Sequence, residues 1–275
     1  MDVAVVVTTY NRPDALAAVM NGYCEQTDLD YELIVAADGS TDETRTPVEA
    51  FGRRAPVPVR HVWQEDKGFR AAAVRNRAIA ASDAGYIIFT DGDCVPARGF
   101  VAAHKRLREP GCFLAANRVL LSQSFTGDVL AQSQSVHRWG WFRFLLGWVG
   151  RDVNRLLPLL RLPDGAWRTR EPQRWEGVKT CNLSAWRDDL LRVNGLDESY
   201  EGWGLEDSDL VIRLLHAGVR HKSARFAAPV FHLWHAENDR TQLERNRQRL
   251  EQLMRSEITR ANLGLDRYLA DSGNA

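Results

Sequence analysis

Cysteine is scarce in this chain, and its placement excludes two kinds of scaffold. Cys24, Cys94, Cys112 and Cys181 are the four cysteines in 275 residues. They have neither zinc-site spacing nor the density of a disulfide framework, so buried reduced thiols are expected. An excess of either charge is also missing, since 36 basic residues face 36 acidic ones. No overall field draws the chain to nucleic acid, and contact with a membrane has to come from a local patch. No run of about 18 apolar residues suggests a spanning helix. Met1 to Val7 lacks the basic start, apolar stretch and small-residue cleavage site of a secretory signal, which makes a cytoplasmic location the expectation. What is present, 44% hydrophobic and 26% charged residues, suits a soluble globular protein of one large or two closely joined domains.

Short β-branched or aromatic runs recur with helical stretches between them: Val3 to Thr8, Glu32 to Ala36, Val57 to Trp63 and Tyr86 to Thr90. This alternation predicts an α/β fold with a mostly parallel central sheet flanked by helices. Helix starts are marked by Asn11 ahead of Pro13 and by capping-box spacing from Ser40 to Glu43. A polar segment follows each run: Thr8 to Arg12, Asp38 to Ser40, Gln64 to Gly68, and Asp91-Gly92-Asp93. In an open parallel sheet such segments lie beyond the carboxyl ends of the strands, where ligands collect. Asp91 and Asp93 carry the most information, because two carboxylates one residue apart can hold Mg²⁺ or Mn²⁺ against a diphosphate. The same tripeptide alone is a turn sequence; four polar loops at one sheet edge favour a shared site. Lys67, Gly68, Arg70, Arg75 and Asn76 could bring cations and a backbone amide to phosphate oxygens. The other reading is a surface helix packed on the sheet through Ala71 to Ala73.

The second strong signal runs from Glu201 to Leu210, Glu-Gly-Trp-Gly-Leu-Glu-Asp-Ser-Asp-Leu. Gly202 and Gly204 give a tight approach to a helix that ends before Gly218. At helical spacing Asp207 shares a face with Leu210, Val211 and Leu214, where partial burial could tune it for proton transfer. Asp209 stands four residues before Arg213, the spacing of a structural pair. Acidic residues in a first turn are also favoured by the helix dipole whatever the function. His232 and His235 lie three residues apart after the apolar run at Val230, which is not diagnostic of a metal site without a helix. Asn182 could hydrogen-bond a sugar or make a buried backbone contact. Trp139 to Leu162 is aromatic, apolar and basic, with Asp152 its one acidic residue. It suits either a membrane interface or a helical insertion packed on the protein or on a second subunit. Arg240 to Leu269 reads as a charged amphipathic helix whose Leu243, Leu250, Leu253 and Ile258 pack on the rest. Glu237 to Arg240 could form a lid that excludes water. A glycine-rich triphosphate signature, expected of a nucleotidyltransferase, is missing.

These stretches resemble the family 2 inverting glycosyltransferases of GT-A fold. Val35 to Ser40 and Gln64 to Asn76 are similar to chondroitin-polymerase-type modules, and Gly202 to Leu210 is similar to the acceptor segment of β-1,4-galactosyltransferases. The resemblance covers about residues 2–125 and 175–236. It implies that Thr8, Tyr10, Arg12 and Asp38 hold uracil and ribose, although Ala37 departs from the family's acidic pair, and that Gly68 and Arg75 lie near the nucleotide. It implies Asp207 as the base, Glu206 as its neighbour, Trp203 as the acceptor platform, and Asn182 on a strand of acceptor-site groups. Asp93 and His232 would hold Mn²⁺ or Mg²⁺, Asp91 would touch ribose or metal, and His235 would bind phosphate or cap a loop. The expected organisation is a nucleotide-sugar lobe (1–125), a helical insertion (126–174), an acceptor and catalytic lobe of the same domain (175–238) and a helical extension (239–275). The expected reaction moves a sugar, from a UDP-sugar in the first instance, to a glycan or lipid-linked glycan in surface polysaccharide or lipopolysaccharide synthesis. The expected location is cytoplasmic or peripheral on the inner face of the cell membrane, with Trp139 to Leu162 as the membrane contact. A retaining hexosaminyltransferase and a non-catalytic glycan-binding protein are the alternatives.

Overall fold

The computed structural model describes residues 1–131, 134–236 and 239–269. Four parallel strands open the chain: β1 (Val3–Thr9), β2 (Glu32–Asp38), β3 (Val59–Gln64) and β4 (Tyr86–Asp91). Their order is β3-β2-β1-β4, and the sheet continues through β6 (Cys112–Ala115), β8 (Asn182–Trp186) and β9 (Arg220–Ser223) as β4-β8-β6-β9. β8 runs antiparallel to both β4 and β6. A three-stranded sheet joins β5 (Cys94–Pro96), β10 (Val230–His232) and β7 (Arg118–Leu120). The helices are α1 (Pro13–Cys24), α2 (Asp42–Gly52), α3 (Ala71–Ala80), α4 (Phe100–Leu107), α5 (Gln123–Leu130), α6 (Trp141–Val149), α7 (Arg187–Arg192), α8 (Glu206–His216), α9 (Leu243–Met254) and α10 (Asp266–Leu269).

β1, β2 and β4 are buried along almost their whole length because both faces of the sheet are covered there. Alternate residues divide between two cores. Val3, Val5, Val7, Leu33 and Val35 meet Leu16, Val19 and Phe51 of α1 and α2. Ala4, Val6, Ile34, Ile87 and Phe89 meet Val74, Ile79, Leu210 and Leu214 of α3 and α8. Each fully buried Val, Leu or Ile contributes roughly 1.5–3 kcal/mol before entropy is counted, so these two layers hold the strand ends in register.

A polar chain crosses the packed interior. The Tyr86 hydroxyl lies 2.8 Å from Ser184 Oγ, which lies 2.8 Å from His104 Nδ1. His104 Nε2 sits 3.1 Å from Asn182 Oδ1, and the Asn182 amide donates to Ala228 O and Asn117 O at 2.7 and 3.1 Å. One set of donors satisfies every link: Tyr86 to Ser184, Ser184 to His104, His104 to Asn182. Burial lowers the His104 pKa to about 4, which keeps the ring neutral.

Three local expectations are corrected. Ser40 does not box Glu43; its Oγ accepts from Asn11 N–H while Asn11 Oδ1 accepts from Thr41 N–H, so the side chains clasp two loops across the sheet edge. Arg240 to Leu269 is not one helix. α9 stops at Met254 because Ser256 Oγ donates to Leu253 O and accepts from Ile258 N–H. Leu250 and Leu253 are buried against Ile212, but Ile258 is 53% exposed. The four cysteines are free thiols, with Cys24 half-buried rather than buried.

Candidate active site

β1 to β4 are mutually parallel, so their carboxyl ends deliver four polar loops to one edge. The loops are knitted together: Gly92 N–H donates to Thr8 O at 2.7 Å, and Tyr10 OH donates to Asp66 Oδ2 at 2.9 Å. Gly92 is required by this closeness, since a Cβ there would meet Thr9 Oγ1 at 2.8 Å. Tyr10 is half-exposed, and Arg12 lies against Asp14 at 3.1 Å. Gly68 takes a φ of +85°, and its amide donates to Asp66 Oδ1 at 3.1 Å. Asp38 sits beneath them, 3% exposed, accepting from Gln64 Nε2 and Arg70 N–H at 2.6 Å each. Its carboxylate holds the second loop to the third rather than facing the open edge.

Strand pairing builds the second part of the site. β10 runs antiparallel to β5 with His232 opposite Cys94, and Leu233 N–H donates to Asp93 O at 2.8 Å. Both histidines therefore reach Asp93, with His232 Nε2 3.7 Å from Oδ1 and His235 Nε2 3.4 Å from Oδ2. Cys94, whose thiol pKa is pushed up by burial, donates to Asp93 Oδ1 at 3.4 Å. Burial lowers the His232 pKa, which favours the neutral imidazole that can coordinate a metal. Asp93, Cys94 and His232 offer ligand atoms within 4.8 Å of one another. A carboxylate with imidazole nitrogens fits a divalent cation, Mn²⁺ better than Mg²⁺, which prefers an all-oxygen shell.

Arg75 joins this centre to the second sequence signal. Its Nη2 lies 3.1 Å from Asp91 Oδ1, its Nη1 3.0 Å from Glu206 Oε1, and its Nε donates to Thr8 Oγ1 at 3.0 Å. At 4% exposure the guanidinium is buried among these three partners, two of which belong to the donor loops. Asn76 is fully buried as well, with its amide on Leu196 and Glu198. Desolvation raises the pKa of Asp91, Arg75 pulls it back and Asp93 raises it again. Glu206 is raised by burial and by Asp207, against Arg75.

Gly202 (φ +72°), Gly204 (φ +107°) and Leu205 (φ +77°) turn the chain through left-handed conformations into α8. Leucine is rare there, and the turn aims the first residues of α8 at the sheet edge. Asp207 is 6% exposed; its Oδ1 accepts from Ser208 N–H at 2.8 Å and from Lys179 Nζ at 3.3 Å. Asp209 forms the anticipated pair with Arg213, Nη2 to Oδ1 2.6 Å. Trp203 is half-buried with the Arg240 guanidinium 5.2 Å from its ring centroid. Glu237 and Asn238 of the expected lid lie outside the described residues. Asn182 is a correction: 1% exposed and saturated by His104, Asn117 and Ala228, it belongs to the interior polar chain and not to an acceptor surface. Sequence reasoning missed Lys179 altogether, and it did not foresee that His235 shares Asp93 with His232.

A mostly parallel sheet, a carboxylate pair at its edge and an acidic helix N-terminus facing that pair define a GT-A glycosyltransferase fold. Residues 4–111 match glycosyl transferase family 2, and residues 166–236 match the family described as the N-terminal domain of galactosyltransferase. Over its first lobe the chain is similar to family 2 glycosyltransferases. Validoxylamine A glucosyltransferase of Streptomyces hygroscopicus subsp. jinggangensis is 29% identical over 238 residues, 78% of this chain and 52% of that protein. Chondroitin synthase of Escherichia coli is 25% identical over 239 residues, 82% of this chain and 34% of that protein. The chain thus spans about half the length, or less, of these curated relatives. S. aureus TarS 1–349 in complex with UDP superposes with a TM-score of 0.61 at 16% identity, covering 100% of this chain and 71% of that one. The Pyrobaculum calidifontis mannosyltransferase PcManGT, in complex with GDP-Man and Mn²⁺, gives 0.63 at 18% identity, covering 98% and 68%.

Proposed function

We propose that the protein is a metal-dependent inverting glycosyltransferase that moves a sugar from a UDP-sugar to a hydroxyl of a glycan or lipid-linked glycan. The observation that carries this reading is the Arg75 bridge, which joins the carboxylate pair at the sheet edge to the Glu206-Asp207 start of α8. It brings a diphosphate-handling group and a basic group onto one site. A cation held by Asp93, His232 and His235 would neutralise the charge that develops on the leaving diphosphate. Thr8, Tyr10, Arg12 and Gly68 belong to the donor loops and would border the nucleoside. The UDP bound to S. aureus TarS and the chondroitin synthase relatives support a UDP-sugar and a polysaccharide product.

Asp207 takes the proton from the acceptor hydroxyl as that oxygen attacks the anomeric carbon. Ser208 N–H and Lys179 hold Oδ1, which leaves Oδ2 for the proton. Glu206, fixed by Arg75, positions the acceptor, and Trp203, half-buried at the turn into α8, is its aromatic platform. A single displacement inverts the anomeric centre. The test is the anomeric configuration of the product by NMR, run with Asp207→Asn alongside. Inversion, and loss of transfer in the variant with donor binding kept, are expected; retained configuration or full transfer by the variant would sink the reading.

A further inference from the structure

Trp139 to Leu162 takes no part in the chemistry above, and its outward face is apolar. On α6, Phe142 is 71% exposed, Leu146 55%, Trp148 48% and Val149 69%, while Phe144 and Gly147 are buried. Helices on globular proteins normally turn apolar residues inward and charge outward; α6 is apolar on both sides. The helix is firmly seated. Phe144 stacks on Phe231 with ring centroids 5.1 Å apart at 13°, and Trp139 meets Phe144 at 5.4 Å. Behind it, Asn154 N–H donates to Leu120 O at 3.0 Å and Leu120 N–H to Asn154 Oδ1 at 2.9 Å. Phe231 directly precedes His232, so the apolar face is fixed to the strand that carries the metal centre.

The segment is also positively charged in a chain whose net charge is zero: Arg143, Arg151, Arg155 and Arg161 against Asp152 alone. Arg143 donates to the Gln134 side chain and Arg155 to Arg118 O, not to carboxylates. We propose that this face docks on a membrane surface bearing anionic headgroups. α6 lies in the plane of the interface, with Phe142 and Trp148 at the headgroup boundary and the arginines on lipid phosphates. A second copy of the chain would be served by the apolar area alone; the arginines select phosphate. Among the described residues no helix is long and apolar enough to cross a membrane, so the contact is with the surface. The inference concerns binding and stands apart from the reaction proposed above.

Co-sedimentation of the full chain with vesicles tests it, using phosphatidylcholine alone and mixed with phosphatidylglycerol. Binding to the mixed vesicles is expected, weakening as salt rises. Phe142→Ser/Trp148→Ser weakens it at least about tenfold, and Arg143→Gln/Arg151→Gln/Arg155→Gln removes the preference for phosphatidylglycerol. Both variants alter exposed side chains and keep the wild-type unfolding midpoint. No sedimentation with either vesicle, binding unchanged by Phe142→Ser/Trp148→Ser, or a dimer in ultracentrifugation that this variant dissolves would each overturn the proposal.

Discussion

Arg75→Met strips the counter-ion from two carboxylates at once. Arg75 is 4% and Glu206 8% exposed, and they pair at 3.0 Å; Asp91 pairs at 3.1 Å with 30% of its side chain open to water. Removing one partner of a buried pair costs ~3–5 kcal/mol, while the more open Asp91 pair adds about 1 kcal/mol or less. A loss of about 4 kcal/mol near pH 8 is expected, a large share of the ~5–15 kcal/mol typical of a folded domain. The loss depends on pH. The Glu206 pKa already lies above its ordinary value, and taking Arg75 away raises it further. A carboxyl whose folded pKa is raised contributes stability that is fully present below its unfolded pKa of about 4.3 and is lost as pH rises through the folded value. The deficit of the variant therefore grows from about pH 5 to pH 8. Urea unfolding of wild type, Arg75→Met and Arg75→Met/Glu206→Gln at both pH values measures it. The double variant should regain about half the loss, because a neutral amide needs no counter-ion. A deficit under about 1 kcal/mol, one that does not change with pH, or no recovery in the double variant would refute the reasoning.

Three further outcomes are expected. The unfolded chain takes up a proton below about pH 6.5 that buried His104 refuses until about pH 4. Its contribution is complete above the unfolded value and falls by about 3 kcal/mol as pH drops toward the folded one; His104→Gln should flatten this part of the unfolding profile. Gly92→Ala forces a Cβ to within 2.8 Å of Thr9 Oγ1, which should destabilise the protein by roughly 1–3 kcal/mol and weaken metal affinity measured by titration calorimetry. Asp207→Asn should lower kcat by about 100-fold or more while leaving the Kd for donor unchanged, as read by radiolabelled product and by calorimetry.

β1, β2 and β4 were legible because a sheet covered on both faces writes its central strands as apolar runs, while the edge strand β3 was marked by its β-branched and aromatic residues; all four match the expected runs to within a few residues. β9 could not be read that way: Arg-His-Lys-Ser becomes a strand only because β6 offers it a partner. The carboxylate loop and the α8 motif were local and visible. The clustering around them was not, since Arg75 reaches Thr8 and Glu206 across 67 and 131 residues of chain. For Asn182 the resemblance implied an acceptor-site strand while the residue itself allowed a buried backbone contact, and only the packed fold reveals that His104 and two backbone carbonyls consume it. At Ser40 the local capping pattern lost to a clasp with Asn11, 29 residues away.

The central claim is that a metal centre at Asp93 and His232 governs the donor nucleotide. The most direct measurement is calorimetric binding of UDP, with and without Mn²⁺, to wild type, Asp93→Ala and His232→Ala, alongside UDP release from UDP-sugars. The account predicts binding and release that require both Mn²⁺ and Asp93, with His232→Ala weakened. Nucleotide binding indifferent to metal, or release unchanged in Asp93→Ala, would contradict it.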